Sequence, residues 1–176
     1  VRKQFPGLTT DWTLMDNAGG SQILKGVVDK ITQYYYSNNV QTGGSYELSL
    51  KAASSLAEGR ENIATLFNAS RPEEIVFGPS TTVLVQSLAK AMAHQFQAGD
   101  EVVVTNTDHE SNIGPWVALR EIGVNIKFWN MNKLTLELEL DELDKLMTDK
   151  TKLVCCTHVS NVLGTINPIK DITRYV

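Results

Sequence analysis

The stretch that decides the fold is "GDEVVVTNTDHESNIGPW", residues 99–116. It begins with an acidic turn, runs through three valines, and leaves Asp108, His109 and Glu110 where a buried strand would end. A short apolar run followed by polar residues and then a helical pattern is typical of a strand–loop–helix unit. Since ligands of open α/β sheets bind at the carboxyl ends of the strands, His109 occupies a position where a functional side chain is expected.

The same alternation continues along the chain. Near-continuous apolar runs predict strands close to residues 74–78, 101–106, 125–130 and 151–159. Helical patterns occupy residues 22–39, 46–68, 79–96, 112–122, 140–147 and 168–176. Strands that alternate with helices predict an α/β fold around a mainly parallel sheet with helices on both faces.

Composition and charge narrow the classes of function. The chain has 176 residues, 42% of them hydrophobic, and a net charge of −4 with scattered basic residues. This balance disfavours nucleic acid and anionic membrane surfaces as partners. No apolar run is long enough to cross a bilayer, and the first residues lack the apolar core of a signal peptide. The chain ends within a helical pattern, "DITRYV", with no stop signal, so we expect it to continue beyond Val176.

Cys155 and Cys156 are the two cysteines of the chain. Adjacent residues of a strand point to opposite faces, so these thiols are not expected to form a disulfide with each other. Their number and spacing also fit neither a disulfide framework nor a zinc site. The cysteines therefore predict a reducing, cytoplasmic location and no metal.

Three strand ends carry polar side chains with two interpretations each. Ser80, Thr81 and Thr82 begin a helix, where free N–H groups bind anions, although simple capping by Ser80 is the commoner explanation of such residues. No P-loop lysine or Gly-rich dinucleotide motif accompanies them. His109 is either a surface histidine in a polar turn or a group that stacks on a flat cofactor and moves protons. Asn161 is either a turn residue or an amide that binds a ligand.

Another histidine, His158, lies inside the fourth strand pattern and is expected to be structural.

Four motifs occur in order: "DNAGG" (16–20), "FGPSTT" (77–82), "DHESNIGPW" (108–116) and "HVSNVLGTINP" (158–168). Together they resemble the class V aminotransferase superfamily of pyridoxal-phosphate enzymes, and within it the cysteine desulfurase-like proteins. The resemblance implies the type I pyridoxal-phosphate fold, an amino-acid substrate and a homodimer. The chain would contain an N-terminal arm and helix (1–45) and then the N-terminal part of an incomplete large domain (46–176).

The resemblance also implies roles for individual residues. Thr81 and Thr82 match the cradle of the cofactor phosphate. His109 matches the catalytic histidine that stacks on the pyridine ring, and Asn161 matches the asparagine that bonds the ring hydroxyl. The small-residue segment near the substrate carboxylate is matched by Ala18, Gly19 and Gly20. The glycine-containing segment 38–49 is expected near a partner subunit or the substrate entrance.

Other family features are absent or altered in this sequence. Ser80 replaces a usual glycine, Val83 a frequent glutamate, and Glu110 a second histidine or a lysine. The Schiff-base lysine, the aspartate at the pyridine nitrogen, the substrate-binding arginine and the persulfide cysteine come later in the family. We therefore expect part of a cysteine desulfurase or C–S lyase that has no turnover as this chain alone. A class V aminotransferase or another lyase is one alternative, and a non-catalytic interaction module that retains the fold is a second.

Overall fold

The computed structural model describes residues 1–9 and 11–176. These residues form two compact units, Val1–Val76 and Phe77–Val176. The first unit is helical, and the second contains a sheet with helices packed on it.

In the first unit, helix α1 spans Lys25–Ser37 and helix α2 spans Glu47–Phe67. Short 3₁₀ helices cover Arg2–Gln4, Pro6–Leu8 and Pro72–Glu74. The loop between α1 and α2 is organised by Ser49, which is fully buried. Its hydroxyl accepts the Gly44 N–H at 2.8 Å and donates to the Gln41 carbonyl at 2.8 Å. The loop is therefore folded on itself, and its expected place near a partner subunit stays a prediction.

In the second unit, three strands form a parallel sheet in the order β2-β1-β3. The strands are β1 (Glu101–Thr105), β2 (Asn125–Trp129) and β3 (Thr151–Cys155). All five residues of the central strand β1 are buried, as its valine run predicts. The parallel sheet built from these three segments is confirmed.

Four α-helices cover the two faces of this sheet: α3 (Thr81–Met92), α4 (Glu110–Val117), α5 (Leu140–Leu146) and α6 (Ile169–Tyr175). Short 3₁₀ helices at Ala93–Gln95 and Ala118–Ile122 extend α3 and α4. Val102 and Val104 pack with Trp116 of α4 on one face, whereas Val103 packs with Leu143 of α5 on the other. Alternate side chains of β1 thus pack into two hydrophobic cores, one on each face of the sheet. The prediction of helices on both faces is confirmed.

Two strand predictions are wrong: one predicted strand does not form, and another is shorter than predicted. Residues 74–78 form no strand, and Val76 and Phe77 are 71% and 51% exposed. The segment begins in the 3₁₀ helix Pro72–Glu74, and the three-stranded sheet described above does not include it. The predicted strand 151–159 ends at Cys155, and Val159 instead forms an isolated antiparallel bridge with Ile166.

A partly buried ion pair supports the amino-terminal edge of the sheet. The Glu101 carboxylate accepts from Lys127 Nζ at 2.7 Å, from Thr148 Oγ1 at 2.6 Å and from Thr151 Oγ1 at 3.2 Å. The side chains of Glu101 and Lys127 are 12% and 26% exposed. The hydrogen bond from Lys127 and then that from Thr148 lower the pKa of Glu101 below its usual range.

We expect Glu101→Gln to destabilise the protein by about 2 kcal/mol at pH 7, because Lys127 loses its charged partner and retains the Leu146 carbonyl as an acceptor. A lowered folded-state pKa stabilises the fold above the ordinary glutamate pKa, and this contribution disappears as the pH falls through the lowered value. The difference between wild type and variant should therefore shrink in acid. Urea unfolding at pH 7 and pH 4 measures it, with the exposed Glu121→Gln as control. A difference that grows in acid would contradict this account.

Candidate functional site

The carboxyl ends of β1 and β3 meet at one edge of the sheet, because the strands are parallel and paired as far as Val104 and Cys155. The loop after β1 (106–109) and the loop after β3 (156–167) therefore leave the sheet side by side. This is the edge where the sequence predicts a ligand site.

The loop after β1 is tied to both neighbouring strand ends. The Asn106 side-chain carbonyl accepts the Met131 N–H at 2.9 Å, beyond the end of β2. On the other side, the Thr107 carbonyl accepts the Ser160 hydroxyl at 3.2 Å. Ser160 is 2% exposed, so this bond is buried. The two bonds fix the backbone of the loop just before His109.

The half-buried Asp108 is bonded to its surroundings through both carboxylate oxygens. Oδ1 accepts from Asn112 Nδ2 at 2.6 Å. Oδ2 accepts from the Thr157 N–H at 3.0 Å and from the Thr105 hydroxyl. The carboxylate thus joins the end of β1, the start of α4 and the end of β3.

His109 is exposed and forms the N-cap of α4 through its imidazole ring. Nδ1 accepts the Ser111 N–H at 3.1 Å and lies 2.9 Å from the Ser111 hydroxyl. Because Nδ1 is the acceptor of that N–H, Nε2 carries the proton of the neutral ring. No hydrogen bond to Nε2 occurs in the described part of the chain, so this nitrogen is available to a ligand.

The loop after β3 presents Asn161 at the surface. The preceding residue, Ser160, fixes the backbone of this loop. Its N–H donates to the Thr165 carbonyl at 3.0 Å, and its carbonyl accepts the Gly164 N–H at 2.9 Å. Asn161 itself is exposed, and its amide makes no hydrogen bond among residues 1–9 and 11–176. His158 lies beyond the strand end and is exposed, so its expected place inside a strand is wrong.

At the amino end of α3, both interpretations of the hydroxyl residues, capping and anion binding, are compatible with the structure. Ser80 caps the helix, because its hydroxyl accepts the Val83 N–H at 3.3 Å. Thr81 and Thr82 are exposed, and their backbone N–H groups are unbonded within the described residues. One capped and two open N–H groups leave this end of the helix able to bind an anion.

A cavity of about 570 Å³ lies between α3 and α4 and brings Thr82 and His109 into one lining. Its other walls come from the facing sides of the two helices, including Gln86, Lys90 and Glu110. Thr81 and Asn161 do not line this cavity.

The remaining expected site residues, Ala18, Gly19 and Gly20, lie in the first unit, where Asp16 accepts the Gly19 N–H in a turn. Their role at the substrate carboxylate stays a prediction.

The two cysteines are poor nucleophiles in this fold. Burial, followed by the charge of Asp108, raises the pKa of Cys155 to about 12. Burial and Asp108 likewise raise the pKa of Cys156 to about 11. Cys155 Sγ also donates to Asn112 Oδ1 at 3.3 Å. Both thiols stay protonated near neutral pH. Cys155 is the last residue of β3, whereas Cys156 lies just beyond the strand, so its expected place inside a core strand is wrong.

We expect Cys155 and Cys156 to react with iodoacetamide at pH 8 on the order of 100-fold more slowly than in the denatured protein, because only thiolates attack. Peptide mass spectrometry at timed intervals, with and without guanidinium, measures both rates. Rapid labelling of either residue in the folded protein would show that the thiol is activated rather than buried.

Sequence reasoning missed three residues that hold the site together: Asn106, Asp108 and Ser160. The sequence shows Asp108 only as one of three polar residues at a strand end, whereas its bonds go to other elements. An acidic residue between a buried strand and a helix was the available signal for it. The partner of Ser160 lies 53 residues away, and no local pattern indicates such a bond.

Two kinds of feature are absent from residues 1–9 and 11–176. No helix there is long and apolar enough to span a membrane. No group of three or more His, Cys, Asp or Glu side chains there is arranged to hold a metal ion.

Comparison with known proteins identifies relatives along nearly the whole chain. The sequence model of the family described as aminotransferase class V matches residues 13–176. An aminotransferase-like protein of Gibberella zeae is 43% identical over 100% of this chain and 44% of its own length. A cysteine desulfurase of Yersinia pestis is 36% identical over 98% of this chain and 44% of its own length.

The fold has solved counterparts as well. The apo structure of a cysteine desulfurase from Thermococcus onnurineus matches 99% of this chain and 43% of that chain, with a TM-score of 0.91 and 31% identity. This match confirms the expected fold, part of the large domain of the type I pyridoxal-phosphate enzymes. The chain spans about 44% of the length of the curated relatives it matches.

Proposed function

This chain belongs to the class V aminotransferase family, and from that premise we propose that it is part of a pyridoxal-phosphate-dependent cysteine desulfurase or C–S lyase. The observation that supports this best is the cavity that Thr82 and His109 line together, since His109 ends the loop that follows β1. A phosphate-binding helix end and an exposed imidazole are two groups that a flat, phosphorylated cofactor requires.

The residues at the amino end of α3 fit the phosphate of pyridoxal phosphate. The open N–H groups of Thr81 and Thr82 and their hydroxyls are donors, and the helix dipole adds positive potential. Capping by Ser80 leaves these donors unused. We therefore propose that Thr81 and Thr82 bind the phosphate.

His109 and Asn161 fit the ring of the cofactor. His109 has its Nδ1 occupied by Ser111 and its Nε2 open, so the imidazole can lie over a ring while Nε2 gives or accepts a proton. The unbonded amide of Asn161 can donate to the ring hydroxyl. When bound, pyridoxal phosphate supplies an electron sink for bond cleavage at an amino acid.

Two alternatives share the same residues. A class V aminotransferase or another pyridoxal-phosphate lyase is favoured by the match to the Gibberella zeae aminotransferase-like protein. A non-catalytic module would keep the fold without covalent cofactor binding. We also propose that the whole protein is a homodimer and cytoplasmic, with Ala18, Gly19 and Gly20 near the substrate carboxylate.

The experiment adds pyridoxal phosphate to this chain and to the whole protein, reduces both with borohydride and locates labelled lysines by mass spectrometry. We expect one labelled lysine in the whole protein and none in residues 1–176. Cysteine-dependent sulfide release then indicates a desulfurase, and transfer of the amino group to a keto acid indicates an aminotransferase. Absence of both cofactor binding and labelling in the whole protein would refute the proposal.

A further inference from the structure

The carboxylate of Asp108 collects three donors from three parts of the second unit. These are the Asn112 amide in α4, the Thr157 N–H after β3 and the Thr105 hydroxyl at the end of β1. An ionised carboxylate only accepts hydrogen bonds, so both of its oxygens suit these three donors. An amide in its place would present an NH₂ group, itself a donor, to one or more of them. Bonds to a charged acceptor are also stronger than neutral ones.

His109 follows this carboxylate directly and is held from its other side by α4. Its Nδ1 accepts the Ser111 N–H, and neither oxygen of Asp108 is bonded to the ring. Asp108 therefore cannot act on the imidazole as a direct hydrogen-bond partner. Its influence passes through the backbone at residues 108–109, which the bond to Thr157 fixes to a segment 49 residues away.

We propose that Asp108 is a positioning residue, a clamp that fixes His109 over the cofactor site by joining the β1–α4 loop to the end of β3. This inference rests on the proposed function, because it assigns His109 to the cofactor ring. A stacked imidazole acts only at the correct height and angle, and a displacement of about 1 Å costs on the order of 100-fold in rate.

The test is Asp108→Asn in the whole protein, with Asp100→Asn as the matched control. Asp100 is 5% exposed, precedes β1 at the opposite edge of the sheet and accepts the Gln97 N–H at 2.9 Å. Both variants lose a carboxylate acceptor next to the same strand, buried at Asp100 and half-buried at Asp108. We expect both to unfold more easily, and only Asp108→Asn to lower kcat, on the order of 100-fold with a smaller change in KM.

A second measurement reports the tautomer of the His109 imidazole and does not require the cofactor. Long-range ¹H–¹⁵N spectra of the histidine-labelled, cofactor-free protein report the tautomer, and the signal lost in His109→Gln identifies His109. Wild type and Asp100→Asn should show Nε2 protonated and Nδ1 as acceptor. Asp108→Asn should shift these signals toward an average of both tautomers.

If Asp108→Asn does not fold, Asn112→Ala, which removes one of the three donors to Asp108 together with the acceptor of the Cys155 thiol, should move the same signals by a smaller amount. Unchanged ring signals in every variant that folds would overturn the clamp, as would a kcat no lower than that of Asp100→Asn. If the ring signals move but wild type does not bind pyridoxal phosphate, the proposed function fails while the clamp on His109 stands.

Discussion

Replacement of His109 by alanine in the whole protein should lower kcat by about 100-fold to 10,000-fold, the range for loss of a positioned acid–base group. The side chain is exposed and its structural contact is the capping bond to Ser111, so folding should change little. Losing such a cap costs about 1 kcal/mol, which is small beside the effect on turnover. Steady-state kinetics and urea unfolding of the same preparations measure both quantities.

The other two histidines of the chain supply matched controls. His94 is exposed in a short 3₁₀ helix with Nδ1 bonded to the Ala91 carbonyl, and His158 is exposed beyond β3. His94→Ala should leave kcat unchanged, and so should His158→Ala. If His109→Ala retains wild-type turnover, or if all three variants lose it equally, His109 has no special role.

The second large effect concerns stability rather than turnover. Trp129 is fully buried at the end of β2, and its Nε1 donates to the Glu139 carbonyl at 3.0 Å. Trp129→Ala should cost about 3–5 kcal/mol of unfolding free energy, because it opens a cavity beside Val103 and Leu143. It also leaves the Glu139 carbonyl without its donor. Circular dichroism during urea unfolding measures the loss.

A second variant of Trp129 separates the cost of the cavity from the cost of the lost hydrogen bond, and a variant of an exposed tryptophan is the control. Trp129→Phe keeps most of the ring volume and removes the N–H, so it should cost less than Trp129→Ala. Trp12 is 76% exposed, and Trp12→Ala should change stability by less than about 0.5 kcal/mol. A Trp129→Ala variant as stable as wild type would mean that this core collapses around the loss.

The elements that the sequence predicts well are those determined by local pattern. The valine run 102–104 predicts a buried central strand, and the 3.6-residue period of 79–96 predicts α3. The strand expected at 74–78 failed because a strand depends on a partner elsewhere in the chain. Local pattern carries no information about that partner.

The candidate site likewise contains residues that local pattern predicts and contacts that it does not predict. His109, Thr81 and Thr82 are visible because they follow strand patterns or open a helix pattern. The bonds of Asp108 to Thr157 and of Ser160 to Thr107 cross 49 and 53 residues, so only the fold brings those groups together. The positions of single functional groups are thus predictable, whereas the interactions that orient them are not.

The place of β1 in the sheet has a consequence for hydrogen exchange. Its backbone is paired on both sides and fully buried, whereas β2 and β3 are the edge strands of the sheet that residues 1–9 and 11–176 form. Amides of Val103 and Val104 should therefore exchange with solvent only when the whole unit opens, while edge amides exchange through smaller fluctuations. The loop that ends at His109 follows Thr105, the last residue of β1, so the imidazole is anchored to the strand that should exchange most slowly. Local opening of the surrounding loops can admit and release a ligand without moving that anchor.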